Sequence, residues 1–531
     1  MEPRVRDDCS SINVALIGVG VVGAGVLDFF GGGPLNLTLP GGDLGGPTAA
    51  TVKLWSAARR SASNSKAASA DRIGTLVTRR EDGTARFFYD EATAPEPAWR
   101  SVVRDPNVDI VVELTGSPVA EAIIEEALWN GKCVVTANKA VVARSGHDLV
   151  RLARSRGVIL AYEAAVGGGM PVVQTIASSV GGEVEAILAI LNGTTNFILS
   201  KMMERANSSE AGSYQRAVCA AIHGGLAEAD PGADVLGDDA RSKIIILSGL
   251  AFGVRLRPQD VYFRGISRRG PVKSVVTDRT ALHRCPGSES PCTAICADDD
   301  HLGTSPIFTA SDLATLQAAG LTPKLLAGAQ RIDDRVVAWA QPAAVPLSHA
   351  LGGINDAENG CLLDVRSPGS GKGALFKIAL RGPGAGGPET ASSVIADILF
   401  CARQLASHRC SHDGAPYYMY GADSFSHPQG FGGVASLLAA KRLQTKFLIR
   451  FDVGPKMKSQ DLLAALQENG VEATIDPAGA SSNAVYLRTG LQSMQSIEHA
   501  IGRTVGNMPI DGALMNVLYL PIIEGTGWEV S

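Results

Sequence analysis

The stretch with the most chemistry per residue runs from Ala221 to Lys243, where Glu228, Asp230, Asp234, Asp238 and Asp239 crowd toward one lysine. Gly224, Gly225, Pro231, Gly232 and Gly237 break regular structure on its N-terminal side, and the apolar run at 244–247 buries the C-terminal side. Charges are thereby pinned against a core. Asp239 and Lys243 stand four residues apart, so on one helix they share a face, and the carboxylate can orient an ammonium that moves a proton on a small zwitterion. The same spacing also fits a solvated helix start, with Asp238 and Asp239 at the positive end of the helix dipole.

A second set of residues could hold a dinucleotide. The buried-strand run 12–17 leads at once into Gly18-Val19-Gly20-Val21-Val22-Gly23 and an apolar helix reaching residue 30. Strand before and helix after are the setting in which such glycines admit a pyrophosphate to a helix N-terminus, so Gly18, Gly20, Val21, Val22 and Gly23 are candidate cofactor contacts. A merely tight strand-to-helix turn is the alternative. The next strand, 51–55 continuing toward 58, ends in Ser56-Ala57-Ala58-Arg59-Arg60 and offers no acid for a ribose hydroxyl. Arg59 and Arg60 therefore point to NADP, with NAD possible if both are only solvated loop charges.

The elements that must position these groups alternate. Strands at 108–114, 132–136 and 158–162, with a helix at 118–130, continue a βαβ pattern that implies a parallel sheet. The segment 31–48 reads as a long loop and 61–97 as irregular. Beyond 171 come a strand at 184–191, the polar turn Asn192-Gly193-Thr194-Thr195-Asn196, and a helix at 197–203. Strands resume at 336–341 and 374–380, the latter ending in a second glycine-rich turn around Gly386 before a helix at 390–406. The last part of the chain spells βαββαβ.

The whole chain narrows the function classes. Its 531 residues suffice for two to four domains, and 45% apolar with 19% charged residues is a soluble globular composition. A net charge of −5 gives no basic footprint, which argues against nucleic acid or a membrane surface as a partner. The charged N-terminus carries no secretory pattern, and nine scattered cysteines fit reduced thiols, so a cytoplasmic location is expected.

Ala221, Gly225, Leu226, Ala227, Asp230, Pro231, Asp234, Val235, Gly237, Asp239 and Lys243 occupy every fixed position of the homoserine dehydrogenase signature. The chain resembles that family over 12–400, apart from an excursion at 267–309. The resemblance implies NADP-preferring interconversion of L-homoserine and L-aspartate 4-semialdehyde by a homodimer or homotetramer. It assigns Lys243 as proton donor with Lys139 as rival, Glu228 and Asp239 as substrate holders and Asp234 as support. It adds Thr115, Lys139, Gly225 and Gly386 to the cofactor contacts, and a sodium-like monovalent cation held by Glu163, Val166, Gly168 and Met170. A related dehydrogenase with another substrate, or a non-catalytic nucleotide sensor, are the alternatives.

The expected fold is α/β. A Rossmann-type doubly wound parallel sheet fills 1–165, and an α+β substrate and dimerisation domain fills 166–388. A helix at 389–407 returns to the first domain, a linker spans 408–440, and a small ACT-like domain occupies 441–531. The excursion holds His283, Cys285, Cys292, Cys296 and His301, whose spacings form no C-x-x-C zinc knuckle. In the ACT-like domain the turn Asp452-Val453-Gly454-Pro455-Lys456-Met457 transposes proline and glycine relative to related modules. The module is therefore expected to support assembly, and threonine to inhibit weakly or not at all.

Overall fold

The structure, a computed structural model, describes residues 11–31, 34–38, 49–59, 86–89, 98–180, 182–204, 214–228, 230–269, 283–284, 291–292, 304–332, 335–367, 374–384, 386–410, 444–453, 458–476, 484–507 and 516–524. Two compact units emerge. One combines residues 1–179 with 386–428, and the other combines 180–385 with 429–531. The expected boundary at 165/166 thus falls inside the first unit, and the C-terminal segment groups with the second.

The first unit is built on β1 (Ser11–Ile17), β2 (Leu35–Thr38), β3 (Ala49–Arg59), β4 (Arg86–Tyr89), β5 (Ile110–Glu113), β6 (Cys133–Thr136) and β7 (Leu160–Ala161). Their order is β2-β3-β1-β5-β6-β7, with β4 beside β3. All pairs are parallel except β2 with β3. Ile12, Val14, Leu16, Ile110 and Val112 are fully buried, the continuous apolar run expected of strands covered on both faces. Helices α1 (Val21–Phe30), α2 (Ala98–Arg104), α3 (Ala120–Trp129) and α4 (Lys139–Ser155) fill the crossovers. The long helix Gly387–Cys410 belongs to this unit and packs so tightly on α1 that a Cβ on Gly25 would sit 2.9 Å from the Ala391 methyl. Arg409 near its end reaches the Asp109 carboxylate at 2.6 Å, tying the helix to the start of β5.

The second unit holds β8 (Glu183–Ile190), α5 (Gly193–Glu204), α6 (Tyr214–His223), α7 (Asp238–Phe252), α8 (Ala310–Ala318), β9 (Leu321–Ile332), β10 (Arg335–Pro346), β11 (Glu358–Arg366) and β12 (Leu375–Pro383). It continues with β13 (Gln444–Asp452), α9 (Ser459–Glu468), β14 (Ala473–Ile475), β15 (Ala484–Thr489), α10 (Met494–Asn507) and β16 (Asn516–Ile522). One sheet runs β12-β11-β8-β9-β10-β16-β13-β15-β14. The C-terminal βαββαβ segment is an antiparallel four-strand layer, joined to the rest where β16 pairs parallel with β10 at Ala344 and Ile522. Its core is shared: Leu188, Ile190, Leu326 and Trp339 sit in one buried cluster with Phe447, Ile449, Leu466 and Ile497. Trp339 lies over Gly328, where a Cβ would come within 2.5 Å of the indole.

Several elements differ from expectation. The 31–48 loop contains β2, an antiparallel edge strand with Leu37 turned into the core. The 61–97 region contains β4, and the 158–162 strand shortens to β7. β9 and β11 have no counterpart in the expected pattern: β9 is buried over its first nine residues, so it lacks the polar alternation that marks a half-exposed strand. Cys133, Cys361 and Cys401 are free and buried. Cys285, Cys296, His301, the turn residues 454–457 and Arg60 lie outside the described residues. Among the described residues no group of three or more His, Cys, Asp or Glu could hold a metal, and no helix is long and apolar enough to cross a membrane.

Candidate active site

The signature stretch folds into a short turn of helix, Gly232–Val235, followed by α7. Gly237 precedes α7 at φ 90°, a left-handed conformation costly for other residues, and a Cβ there would press on the Arg264 carbonyl at 3.2 Å. This glycine sets the angle at which α7 enters the core. Asp239 and Lys243 are then carried inward on one face, 2% and 8% exposed. Their ion pair is 2.9 Å long. Lys243 Nζ also donates to the carbonyl of Leu191 at 2.7 Å. The solvated reading of this helix start is thereby overturned.

The polar turn after β8 is what holds the carboxylates. Asn192 accepts from the Thr195 amide at 2.7 Å, the N-capping geometry that opens α5. Its Nδ2 donates at 2.7 Å to Asp234 Oδ1 and at 2.7 Å to Asp239 Oδ2. One amide therefore bridges two acids that would otherwise repel. Thr194 secures the signature loop by donating to the Leu226 carbonyl at 2.8 Å. Asn196 donates to the carbonyls of Ile354 and Glu358, and its own oxygen takes a 3.0 Å hydrogen bond from Lys324.

Lys324 on β9 also donates to Asn355 Oδ1 and the Ile354 carbonyl. Burial pushes its pKa down to about 8, against the pull of the nearby Asp356 carboxylate. Glu228 stands exposed on the signature loop and shares no hydrogen bond with the Asn192 cluster among the described residues. Gly225 turns that loop at φ 70° with open space around it.

In the first unit the three fingerprint glycines have different surroundings. A Cβ on Gly18 would strike the Leu114 carbonyl carbon at 2.6 Å and the Thr115 nitrogen at 2.7 Å, and one on Gly23 would strike the Gly18 oxygen at 2.4 Å. Gly20 faces open space, with nothing within 4 Å. Helix α1 starts there without a side-chain cap or an acid in its first turn, so its leading amides and positive dipole end suit a pyrophosphate.

The second glycine turn meets the first. A Cβ on Gly387 would lie 2.5 Å from Val21 Cγ1, and Gly386 adopts φ 128°. Val22 comes after Val21 in α1 and is half-buried. Lys139 opens α4 directly after Asn138, which caps the helix by accepting from Val141 at 3.2 Å. Thr115 donates its hydroxyl to Glu113 at 2.6 Å. Arg59 is the last residue of β3.

Glu163, Val166 and Met170 are buried around the turn after β7. The Glu163 carboxylate accepts from the Val173 and Gln174 amides at 2.9 and 2.7 Å, and the Gly168 carbonyl accepts from the Ser393 hydroxyl. One carboxylate beside buried carbonyls is an all-oxygen donor set, which fits a hard cation and no soft metal.

A family model described as homoserine dehydrogenase matches residues 171–399, and one described as the homoserine dehydrogenase NAD-binding domain matches 18–163. The homoserine dehydrogenase of Mycobacterium tuberculosis is 31% identical over 477 residues, covering 86% of this chain and 92% of that protein. The chain belongs to the homoserine dehydrogenase family. The Synechocystis homoserine dehydrogenase is 35% identical over 305 residues, 56% of this chain and 59% of that protein. The crystal structure of the Thiobacillus denitrificans homoserine dehydrogenase has the same fold, with a TM-score of 0.70, 23% identity, and coverage of 97% of this chain and 99% of that one. As a homoserine dehydrogenase the chain is an oxidoreductase with a nicotinamide-binding domain, and the fingerprint glycines lie in the matched segment.

Sequence reasoning singled out the 192–196 turn without giving Asn192 its bridging role, and it singled out neither Lys324 nor Glu113. Asn192 carried a usable signal: a capping residue after a buried strand, with Thr195 at the third helical position. Lys324 interrupts an apolar run, which reads as a strand edge until its three acceptors are seen. Glu113 ends a buried strand and reads as part of it.

Proposed function

We propose that this chain interconverts L-aspartate 4-semialdehyde and L-homoserine with NADP(H) as its preferred cofactor, and that Lys243 is the proton donor. The observation carrying this reading is the placement of Lys243 Nζ. Asp239 Oδ2 at 2.9 Å and the Leu191 carbonyl at 2.7 Å engage two of its three N–H bonds, leaving one for a substrate oxygen. When bound, the nicotinamide supplies the hydride. As the aldehyde oxygen gains negative charge, the Lys243 N–H stabilises it and then transfers its proton, and Asp239 keeps the ammonium aimed. Glu228, exposed on the same loop, suits the substrate's ammonium, and Asp234 holds the Asn192 amide in place. Lys139, at the head of α4, is the rival donor.

Arg59, the last residue of β3, and Arg60 after it in the sequence support NADP over NAD. A hyperthermophilic archaeal homoserine dehydrogenase of the same fold has been solved in complex with NADPH. Glu163 with the carbonyls of Val166, Gly168 and Met170 would hold a monovalent cation such as sodium, which organises the turn after β7. The C-terminal βαββαβ layer has the element order of an ACT-like module, and the enzyme works as a homodimer or homotetramer in the cytoplasm. Following NADPH oxidation with L-aspartate 4-semialdehyde, against NADH and against other aldehydes, tests the assignment. Comparable rates with unrelated aldehydes would shift it to another dehydrogenase.

A further inference from the structure

Glu113 closes β5, the central strand of the first sheet, and is completely buried. Three donors converge on its carboxylate. The Thr115 amide at 2.7 Å and the Thr115 hydroxyl at 2.6 Å both reach Oε1, and the Thr136 hydroxyl reaches Oε2 at 2.8 Å. Thr136 Oγ1 in turn accepts from the Asn138 amide at 3.0 Å, and Asn138 caps the helix whose first residue is Lys139. On the other side, the Thr115 nitrogen is among the atoms that a Cβ on Gly18 would strike, at 2.7 Å.

One side chain therefore joins the 114–116 turn, against which Gly18 packs, to the entry to α4, all at the carboxyl ends of parallel strands. That edge is where ligands of such sheets bind. An apolar residue would end a buried strand at lower desolvation cost, so a buried carboxylate here serves the loops rather than the core. Hydrogen bonds to a charged acceptor are stronger than neutral ones, which fixes the turns more firmly than an amide or hydroxyl would.

We propose that Glu113 is a positioning residue for the nicotinamide half of the cofactor, acting through Thr115 on one side and through Thr136, Asn138 and Lys139 on the other. This rests on the NADPH reading above. The same reading puts the pyrophosphate at α1 and the adenosine half at the end of β3, so the two halves should respond differently.

The test compares NADPH with 2′,5′-ADP, which carries only the adenosine half, by titration calorimetry on the full-length protein. Glu113→Gln keeps the size but turns a donor toward the Thr136 hydroxyl. It is expected to weaken NADPH about tenfold or more while changing 2′,5′-ADP by less than about twofold, and to lower kcat more than it raises KM for the semialdehyde. Thr136→Val removes one arm without touching the carboxylate and should give the same split, with Thr136→Ser restoring it. Equal weakening of both ligands would make Glu113 a merely structural residue, and unchanged NADPH affinity in both variants would overturn the inference. Wild-type protein that binds neither ligand would instead overturn the cofactor reading beneath it.

Discussion

The Lys243 ammonium lies 2.9 Å from Asp239 Oδ2, one helical turn back along α7, and the same oxygen takes a 2.7 Å hydrogen bond from the Asn192 side chain. Asn192 also reaches Asp234 at 2.7 Å, so one amide fixes the carboxylate that aims the proposed proton donor. Asn192→Ala would remove donors from two acids, costing about 1–3 kcal/mol of stability, and uncap α5, costing about 0.5–2 kcal/mol more. We expect the folded variant to lose about 10- to 100-fold in kcat, because Asp239, which aims the Lys243 head group, loses the donor that fixes it. Steady-state kinetics beside a melting curve separates the two effects. An unchanged kcat at lower melting temperature would leave Asn192 with a structural role only.

The C-terminal layer shares its core with the catalytic sheet, since Phe447, Ile449, Leu466 and Ile497 pack in one cluster with Leu188, Ile190 and Trp339. Each large apolar side chain exposed by its removal costs about 1.5–3 kcal/mol, and a handful exceeds the roughly 5–15 kcal/mol that holds a typical domain together. Truncation after Gly433 is therefore predicted to yield insoluble or unfolded protein rather than a smaller active enzyme. Soluble yield and circular dichroism of the truncated chain decide it. A folded, fully active truncation would mean that the catalytic sheet closes without this layer.

Much of this was legible in the residues, for identifiable reasons. The fingerprint glycines, the strand before them and the signature from Ala221 to Lys243 are local patterns whose spacing encodes their geometry. The Asp239 and Lys243 pair is set by a four-residue step on a helix. What the sequence hid was non-local. β9 and β11 are buried too evenly to alternate, and the β10 to β16 pairing joins residues 344 and 522, a contact no periodicity announces. Lys324 is readable only once Asn196, Ile354 and Asn355 surround its amine.

The proposed cofactor preference rests on the end of β3. Arg59 stands where an acid would select NAD, so Arg59→Asp should raise KM for NADPH far more than KM for NADH, through loss of a charge-assisted contact to the 2′-phosphate. Kinetics with both cofactors checks it. Equal effects on the two would show that Arg59 does not read the phosphate.

Lys324 gives a pH signature. Burial lowers its pKa from 10.5 to about 8 in the folded chain, so the unfolded chain binds more protons between those values. Stability then rises with pH across that window, as the folded state sheds a proton that the unfolded state still carries. Relative to Lys324→Met, the wild-type melting temperature should gain as pH is raised from about 8 toward 10.5. A gap that shrinks instead would show that the three oxygens around Nζ hold the charged form more strongly than burial disfavours it.

The most direct test of the central claim is single-turnover oxidation of NADPH by L-aspartate 4-semialdehyde in wild-type protein and in Lys243→Ala and Lys243→Arg. Wild type is predicted to turn over. The alanine variant is predicted to be slower by about 10²–10⁴-fold with NADPH binding intact, and arginine to rescue little, because it hardly releases a proton. A near-normal rate in Lys243→Ala would contradict the account and move proton donation to Lys139.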